Sequence, residues 1–316
     1  MPILDKYDDD VDGGSDAEYQ PVNIVHSPFS LRSLRVDILD HDKKVIGFAT
    51  GFIFAQHDLW QELSTKSRLA FVTNYHVVAG QDTSGRFING CNSMSRPFYL
   101  NVRLPAALGM GVGPEALDCI EFPLLQGEPG AFRRRWYSRY KGTKTPGRVM
   151  GPEHQDAYPD EVMSDIALLP ILDETARIHQ LAQRAYVWNP QSIRDSQGQL
   201  MVRPTDRVYV LGYPASTTDY SPTMPIWTAG SVANEVNSGR EERFLIDSRT
   251  RKGQSGSPVI SYRRETYVDG NGGLDGTLPE EGRLLGVYSG RTDDESDIGS
   301  VWWGSEIEHI HKRIDY

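Results

Sequence analysis

The sequence predicts an all-β protein made of two successive β units, and three observations support this prediction. Short segments rich in β-branched and aromatic residues recur along the chain, and turn-rich stretches separate them, as is typical of strands. A chain of 316 residues is long enough to bury one large β core or two small ones. The polar, turn-rich stretch 189–204 interrupts the strand pattern, which predicts a linker between two units.

The first unit is expected at residues 22–188, after an acidic tail at residues 1–21. Region 81–160 is interpreted as a long inserted loop region, although it also contains strand-like segments. A short helix is predicted near the end of this unit, at Glu174–Gln183. The strands predicted here are Leu34–Leu39, Val45–Ala55, Leu69–Thr73, Phe98–Leu104 and Leu117–Leu125, and a further buried strand follows Asp165.

The second unit is expected at residues 205–316 and ends in a helix. Ser305 fits the N-cap position of that helix, and three isoleucines at helical spacing (Ile307, Ile310 and Ile314) form its packing stripe. The Gly-rich segment Val268–Gly282 predicts an exposed hairpin tip. The strands predicted in this unit include Arg207–Tyr213, Pro225–Val236, Phe244–Asp247, Leu284–Gly290 and Gly299–Trp303.

Ser255 lies in the sharpest turn of the sequence, between Gly253 and Gly256 and just before an apolar run that starts at Pro258. A serine hydroxyl becomes a useful nucleophile only with a base, a group that orients the base, and donors for the developing oxyanion. Glycine at position 253 lets the backbone turn, so that the N–H groups of Gly253 and Ser255 can form an oxyanion hole. A Gly/Ser hairpin without catalytic function is the alternative interpretation of this turn alone.

Two polar residues upstream complete a candidate catalytic set with Ser255. His76 follows an apolar strand, and Asp165 opens another one. The chain order histidine, aspartate, serine is one of the orders in which Ser-His-Asp triads occur. Asp156 and Asp160 are weaker candidates, because neither of them precedes an apolar strand.

These motifs resemble those of the trypsin-like serine peptidases of the chymotrypsin fold, in their disulfide-free bacterial branch. Thr73–Val78 (T-N-Y-H-V-V) is similar to the family's T-x-x-H-V-V, and Ser164–Leu169 (S-D-I-A-L-L) is similar to its D-I-A-L-L. Gly253–Val259 (G-Q-S-G-S-P-V) resembles its G-x-S-G-[GS]-P, and Thr50–Phe54 (T-G-F-I-F) resembles its G-x-G-F-[IV] strand. The resemblance covers about residues 30–312.

The resemblance implies a double six-stranded Greek-key β-barrel with a C-terminal helix. The first barrel would carry His76 and Asp165, and the second would carry Ser255 and the pocket for the substrate side chain. It also implies a serine endopeptidase that works through an acyl-enzyme and needs neither a cofactor nor a metal. A peptide substrate would align along Leu284–Gly290 by β-addition. Substrate contacts are expected at Arg249, Val287, Tyr288, Ser289, Gly290 and Ser300.

Two positions depart from the pattern of animal trypsins. Gln254 stands where those enzymes have an aspartate that pairs with a new N-terminus on activation, so an activating protein partner or an oligomer could order the oxyanion turn instead. Arg249 stands at the position of the trypsin specificity aspartate, which favours an acidic P1 side chain through a charge-assisted pair. Asp293, Asp294, Glu295 and Asp297 could attract a basic P1 side chain instead, and Arg249 could equally point to solvent or pair with one of these acids.

Composition argues against several other classes of protein. A formal net charge of −10 argues against a general nucleic-acid binder, because phosphate contacts need a positive surface. The two cysteines, Cys91 and Cys119, form no metal-site or disulfide pattern, which favours a reducing compartment. Neither a signal-peptide pattern nor an apolar run of about 20 residues is visible. We therefore expect a cytoplasmic protein without a membrane partner.

One basic and aromatic segment, residues 131–152, departs from this acidic composition. Its basic side chains have no acidic residue within the segment, and Trp136, Tyr137 and Tyr140 lie among them. A long solvated barrel loop is one interpretation, and a surface for a nucleic-acid backbone or an acidic protein is the other. The acidic tail is likewise interpreted as a solvated segment, with a pro-segment or a docking tail as the alternative.

Two other functions remain open at this point. A catalytically silent scaffold would keep the fold for binding, although the intact triad residues argue against it. An esterase or another acyl hydrolase would use the same site and differ only in its leaving group.

Overall fold

The computed structural model describes residues 27–55, 68–88, 91, 95–104, 119–127, 131–142, 148–151, 161–171, 187–193, 202–215, 224–236, 242–263, 266–268, 274–277, 281–293 and 295–314. The acidic tail and the helix predicted at Glu174–Gln183 lie outside the described residues.

The described elements are almost all strands. In the first part of the chain they are β1 (Leu34–Leu39), β2 (Val45–Ala55), β3 (Leu69–Thr73), α1 (Tyr75–Ala79), β4 (Tyr99–Arg103), β5 (Cys119–Pro123), β6 (Leu125–Gln126), β7 (Arg133–Arg134), β8 (Ser138–Gly142), β9 (Arg148–Met150), β10 (Glu161–Met163), β11 (Ala167–Pro170) and β12 (Val187–Trp188). In the second part they are β13 (Arg207–Gly212), β14 (Ile226–Val232), β15 (Arg243–Ser248), β16 (Pro258–Arg263), β17 (Thr266–Val268), β18 (Leu274–Thr277), β19 (Glu281–Arg291), β20 (Ile298–Trp303) and the helix α2 (Gly304–His311).

The first unit is a Greek key extended by two strands. β1, β2 and β3 follow one another as an antiparallel meander, and β4 returns to the free side of β1. β5 and β11 extend the two edges, so that the order is β5-β4-β1-β2-β3-β11, and β12 pairs in parallel with β2. The buried faces of these strands enclose one hydrophobic core.

The second unit repeats this strand order and closes it. β13, β14 and β15 form the meander, β16 returns to β13, and β19 and β20 join the two edges. The result is the predicted closed six-stranded barrel, with a second core inside it. The two units share one topology although no internal repeat is visible in the sequence. The expected hairpin after β16 is present as the antiparallel pair β17 and β18.

The gap between the edge strands of the first unit is bridged by the chain that follows β6. The N–H of Arg135 donates to the carbonyl of Leu124 over 2.9 Å, which continues the pairing of β6 with β7. Tyr137 then exchanges two hydrogen bonds of 2.9 Å with Leu168 of β11. Residues 133–137 therefore connect the β5 side of the sheet to the β11 side.

This arrangement corrects the interpretation of residues 131–152 as a solvated loop. Trp136, Tyr137 and Tyr140 are each less than 9% exposed, so they are core residues rather than stacking surfaces for bases. The guanidinium of Arg139 lies 2.6 Å from a carboxylate oxygen of Glu306 in α2, a residue distant in sequence. In the described part of the segment, the three aromatic side chains are therefore buried in the fold, and Arg139 forms an ion pair with Glu306.

A third core lies between the two units. Phe52, Trp188 and Ile260 meet there, and the three isoleucines Ile307, Ile310 and Ile314 pack on them with at most 5% exposure, as predicted. The helix begins at Gly304 with Trp303 in the N-cap position, so the prediction of Ser305 as the cap is wrong. No helix in the described part of the chain is long and apolar enough to cross a bilayer.

Candidate active site

His76 and Asp165 form a hydrogen-bonded pair at the edge of the first unit. The chain leaves β3 at Asn74 and enters α1, which places His76 in its first turn. The Nδ1 atom of His76 lies 2.8 Å from Oδ2 and 3.0 Å from Oδ1 of Asp165. The N–H of His76 also donates to Oδ1 over 3.0 Å, and the amide of Asn74 donates to the Asp165 carbonyl over 2.7 Å. The carboxylate is therefore fixed from several directions at once.

The environment of His76 favours its charged form. Burial alone would lower the pKa of His76, but the charge of Asp165, the hydrogen bond to it and the charge of Asp82 together raise it above 6.5. Because Nδ1 faces the carboxylate, the neutral ring carries its proton there and leaves Nε2 as the acceptor. A neutral His76 in this setting is a base with its lone pair directed away from Asp165.

Ser289 connects this pair to the second unit. Its hydroxyl donates a short hydrogen bond to Oδ2 of Asp165, and its carbonyl lies 3.4 Å from the hydroxyl of Ser255. The sequence suggested only a substrate contact for Ser289, and its bond to Asp165 spans 124 residues. No local pattern signals such a contact, because it depends on how the two units pack.

The turn that carries Ser255 requires glycine on both sides. Gly253 has a φ of +95° and Gly256 a φ of +85°, and both values lie in the left-handed region that other residues avoid. A Cβ atom on Gly253 would lie 2.4 Å from the Tyr213 carbonyl, and one on Gly256 would lie 2.1 Å from the Thr50 carbonyl. Substitution of either glycine would therefore displace the backbone around Ser255.

The N–H groups of Gly253 and Ser255 are available as donors. The Lys252 carbonyl accepts a 2.8 Å hydrogen bond from Ala215, so the Gly253 N–H in the same trans peptide points the opposite way. Within the described part of the chain, neither the Gly253 nor the Ser255 N–H donates to another group. Two unengaged donors beside a serine hydroxyl can stabilise an oxyanion.

The Ser255 hydroxyl makes no hydrogen bond to His76 among the described residues. Among the described residues its hydrogen-bond partner is the Ser289 carbonyl, at a long 3.4 Å. The structure thus brings His76 and Asp165 into direct contact, whereas it joins Ser255 to them through Ser289.

Gln254 is held inside the turn as a neutral hydrogen-bonding group. Its side chain is fully buried, its Oε1 accepts from the Arg251 N–H over 2.7 Å, and its Nε2 donates to the Thr228 hydroxyl over 2.9 Å. Gln254, which stands in place of the trypsin aspartate, therefore forms its side-chain hydrogen bonds within the second unit.

Arg249 does not occupy the base of a pocket, which removes the geometric basis for an acidic P1 preference at that residue. Its side chain is 84% exposed, and its Nε lies 3.9 Å from a carboxylate oxygen of Asp297. The next residue, Thr250, is fully buried and shares a short hydrogen bond with the hydroxyl of Tyr288, which is 2% exposed. The buried groups beside the nucleophile turn are thus neutral hydroxyls.

The remaining predicted substrate residues lie on β19 and β20. Val287 is fully buried in the core between the units, so its side chain cannot meet a substrate, contrary to the prediction. Gly290 pairs with Ser300, and its φ of +149° favours glycine. Ser300 is 7% exposed, and its hydroxyl has no hydrogen-bond partner in the part of the chain that the structure describes.

Comparison with known proteins identifies relatives of this arrangement. A family model for the trypsin-like peptidase domain matches residues 49–268, which include all three candidate catalytic residues. A search of curated protein sequences returned no significant match.

The solved structures that are similar to this chain include three proteases. The active form of the Rv3671c protease from M. tuberculosis is 15% identical, with 90% of this chain and 82% of that chain covered and a TM-score of 0.42. The serine endoprotease from Yersinia pestis is 12% identical, with coverages of 92% and 67% and a TM-score of 0.41. The thermostable serine protease AL20 from an extremophilic microorganism is 13% identical, with coverages of 90% and 97% and a TM-score of 0.44.

Proposed function

Because the chain belongs to the trypsin-like peptidase family, we propose that it is an endopeptidase that uses Ser255, His76 and Asp165 as a catalytic triad. The observation that carries this proposal is the His76–Asp165 pair, which leaves Nε2 of the imidazole as a free acceptor. The glycine-flanked Ser255 and the two unengaged N–H groups beside it supply the other parts that acyl transfer needs.

Acylation follows from these positions. Ser255 Oγ attacks the carbonyl carbon of the scissile bond while Nε2 of His76 accepts the hydroxyl proton. The oxyanion accepts hydrogen bonds from the N–H groups of Gly253 and Ser255, and Asp165 stabilises the imidazolium. The C–N bond then breaks, the amine leaves with the proton from Nε2, and the acyl group stays on Ser255 Oγ.

Deacylation repeats these steps with water as the nucleophile. His76 takes a proton from the water, the new tetrahedral oxyanion occupies the same two donors, and the proton returns to Ser255 Oγ as the acid leaves. For acylation, the Ser255 hydroxyl must rotate from the Ser289 carbonyl towards His76. Its present bond of 3.4 Å is long and therefore weak, so little opposes this rotation.

The substrate is proposed to be a protein or peptide that extends along the end of β19. The pairing of β16 with β19 ends at Val287, so the backbone beyond Tyr288 on that side faces the nucleophile turn rather than a strand. A peptide added there would bring its carbonyl towards Ser255. Ser289, Gly290 and Ser300 are the proposed contacts, whereas the buried side chains of Tyr288 and Thr250 lie behind them and bond to each other.

A cytoplasmic location is part of the proposal, supported by Cys91 and Cys119, which are both free thiols. Activation by a protein partner stays a prediction. It would appear as a rise in the turnover of a fluorogenic peptide when lysate of the native host is added to the purified chain.

Labelling by a fluorophosphonate probe tests the proposed triad. The wild type should be labelled, whereas Ser255→Ala and His76→Ala should not be, and Ser261→Ala on β16 serves as a control serine that should label normally. If the wild type is labelled, its turnover of a peptide substrate would then distinguish a peptidase from an esterase. A folded wild type that is not labelled, alone or with host lysate, would favour a binding scaffold and contradict the proposal.

A further inference from the structure

Thr50 connects the first unit to both residues of the proposed oxyanion hole. It lies on β2, is fully buried, and is about 200 residues away from the nucleophile turn in sequence. Its N–H donates to the Ser255 carbonyl over 2.8 Å, and its hydroxyl donates to the Gly253 carbonyl, also over 2.8 Å. The same hydroxyl accepts a 3.0 Å hydrogen bond from the Tyr213 N–H. One residue of the first unit therefore fixes two carbonyls of the turn in the second unit.

These bonds determine the conformation of Gly253. The peptide before Gly253 is fixed by the bond from Ala215 to the Lys252 carbonyl, and the peptide after it is fixed by the bond from Thr50 to the Gly253 carbonyl. Glycine can otherwise rotate into several conformations, which would turn its N–H away from a substrate. With both neighbouring peptides held, Gly253 keeps its φ of +95° and its N–H stays directed away from the Lys252 carbonyl.

The Thr50 hydroxyl donates one hydrogen bond, to the Gly253 carbonyl, and accepts another, from the Tyr213 N–H. The methyl group of the side chain can do neither. A hydroxyl offers one donor and two acceptor lone pairs, and both functions are used here. Space around it is restricted, because a Cβ on Gly212 would lie 3.2 Å from the Thr50 hydroxyl oxygen. Valine has the shape of threonine but neither function, and serine keeps both functions without the methyl group.

We propose that Thr50 is a positioning residue that holds the oxyanion turn in its donor conformation, so that the chain orders this turn without an ion pair to a new N-terminus. This inference rests on the proposed function and identifies how that site is maintained. Gln254 supports it from inside the turn, as its buried amide bonds to Arg251 and Thr228. A partner that activates the protein would therefore act on something other than the order of this turn.

The test compares full-length wild type with Thr50→Val, Thr50→Ser and a matched control. Ser33→Ala is the control, because the buried Ser33 hydroxyl also bridges the two units, through a 2.6 Å bond to the Leu211 carbonyl, but does not touch the turn. The rate of fluorophosphonate labelling and the kcat and KM for p-nitrophenyl acetate are measured as a function of pH. Thermal unfolding of each variant is recorded alongside.

We expect Thr50→Val to lose about 10- to 100-fold in kcat, part of the ~10²–10³ that removal of one oxyanion donor typically costs. KM and the pH midpoint of the rate should stay unchanged, since neither substrate binding nor His76 is altered. Thr50→Ser should regain most of the rate, and Ser33→Ala should lower the unfolding temperature without changing kcat. If Thr50→Val does not fold, Thr50→Cys, with its weak thiol donor, should show the same loss to a smaller extent.

Two outcomes separate this inference from the proposed function. If wild type reacts with the probe through Ser255 but a folded Thr50→Val protein has the same kcat, the inference is wrong and the triad stands. If kcat falls equally in Thr50→Val and Ser33→Ala, the effect is general destabilisation, which also contradicts a positioning role. If folded wild type does not react at all, the proposed function fails and the inference fails with it.

Discussion

At His76, burial and charge act on the pKa in opposite directions. Burial disfavours the imidazolium, while Asp165 favours it through charge and a hydrogen bond, and the pKa of His76 ends above 6.5. A base is most effective when its pKa lies near the working pH, and the pair with Asp165 prevents burial from lowering the pKa of His76 below its usual value. The same pair stabilises the charged intermediate that forms once His76 has taken the serine proton.

Replacement of Asp165 by asparagine tests this balance. Only neutral His76 can accept the proton, so the wild-type labelling rate should rise with pH and reach half of its maximum above pH 6.5. Asp165→Asn removes the charge through which Asp165 raises the pKa of His76, so the midpoint should fall, while the maximal rate drops by about 10⁴-fold, as is typical of triads. The measurement is the pH dependence of fluorophosphonate labelling, and an unchanged midpoint would contradict the assigned role of Asp165.

Arg249 illustrates how an exposed position limits what a charge can do. Its side chain is 84% exposed, and exposed ion pairs contribute only about 0–1 kcal/mol. Arg249→Ala should therefore change the preference among P1 residues in a peptide library by less than about fivefold. If Arg249→Ala alone lost cleavage after acidic residues, the hypothesis of an acidic P1 preference set by Arg249 would be restored.

Tyr288→Val removes a buried ring beside the nucleophile turn. In the same peptide library, this variant should accept larger P1 side chains than the wild type.

At the scale of elements, a small sheet braces the catalytic histidine. β8, β9 and β10 form a separate three-stranded sheet, and Tyr140 and Met163 from it pack against Tyr75, the neighbour of His76. The Ser164 N–H donates to the Arg139 carbonyl over 2.8 Å, immediately before Asp165. Burial, as the largest cause, raises the pKa of Tyr75 to about 12, so this phenol is neutral at physiological pH. One small sheet therefore supports the chain at His76 and at Asp165.

Tyr140→Ala tests this support. Removal of a buried aromatic side chain typically costs ~3–5 kcal/mol in the free energy of unfolding, and the cavity would lie against Tyr75. Urea unfolding should show that loss, and the labelling rate should fall as well, because the His76–Asp165 geometry loosens. Tyr140→Phe keeps the ring and should retain both properties. Full labelling in a destabilised Tyr140→Ala protein would show that the sheet supports the fold but not the site.

Strands and turns could be predicted from the sequence where the pattern that indicates them lies within a short segment. Strand patterns, the glycines around Ser255 and the three motifs lie within short windows, so β1, β2, β3 and the nucleophile turn could be recognised. The bridge at residues 133–137, the Ser289–Asp165 bond and the burial of Val287 depend on contacts between distant segments. The basic residues of segment 131–152 were interpreted as solvated because the segment contains no acidic residue. The acidic partner of Arg139 is Glu306, which is distant in sequence.

At the scale of the whole molecule, two units of the same strand order meet at a shared core, and the candidate site lies on that junction. The first unit supplies His76, Asp165 and Thr50, and the second supplies Ser255. Any change in the packing of the units would therefore move the base relative to the nucleophile. Bonds that cross the junction, such as the one from the Ser33 hydroxyl to the Leu211 carbonyl and those of Thr50, limit such movement.

The Arg139–Glu306 ion pair is another link of this kind, and it leads to a prediction about α2. Arg139 lies in the sheet that braces His76, Glu306 lies in the helix that closes the second unit, and both side chains are less than 20% exposed. Loss of one partner of a buried ion pair typically costs ~3–5 kcal/mol, because the other charge is left unpaired. Arg139→Met and Glu306→Gln should each lower the free energy of unfolding by an amount of that order.

The double variant distinguishes the pair from two independent contributions. With both charges removed, no buried charge remains unpaired, so Arg139→Met/Glu306→Gln should be more stable than Arg139→Met alone. A double-mutant cycle in urea measures this coupling, and Lys312→Ala, at an exposed lysine next to Glu308 in the same helix, is the control. Strictly additive losses would mean that Arg139 and Glu306 contribute to stability independently and do not act as a pair. A coupling of about 1 kcal/mol or more would show that this ion pair ties the brace of His76 to the second barrel.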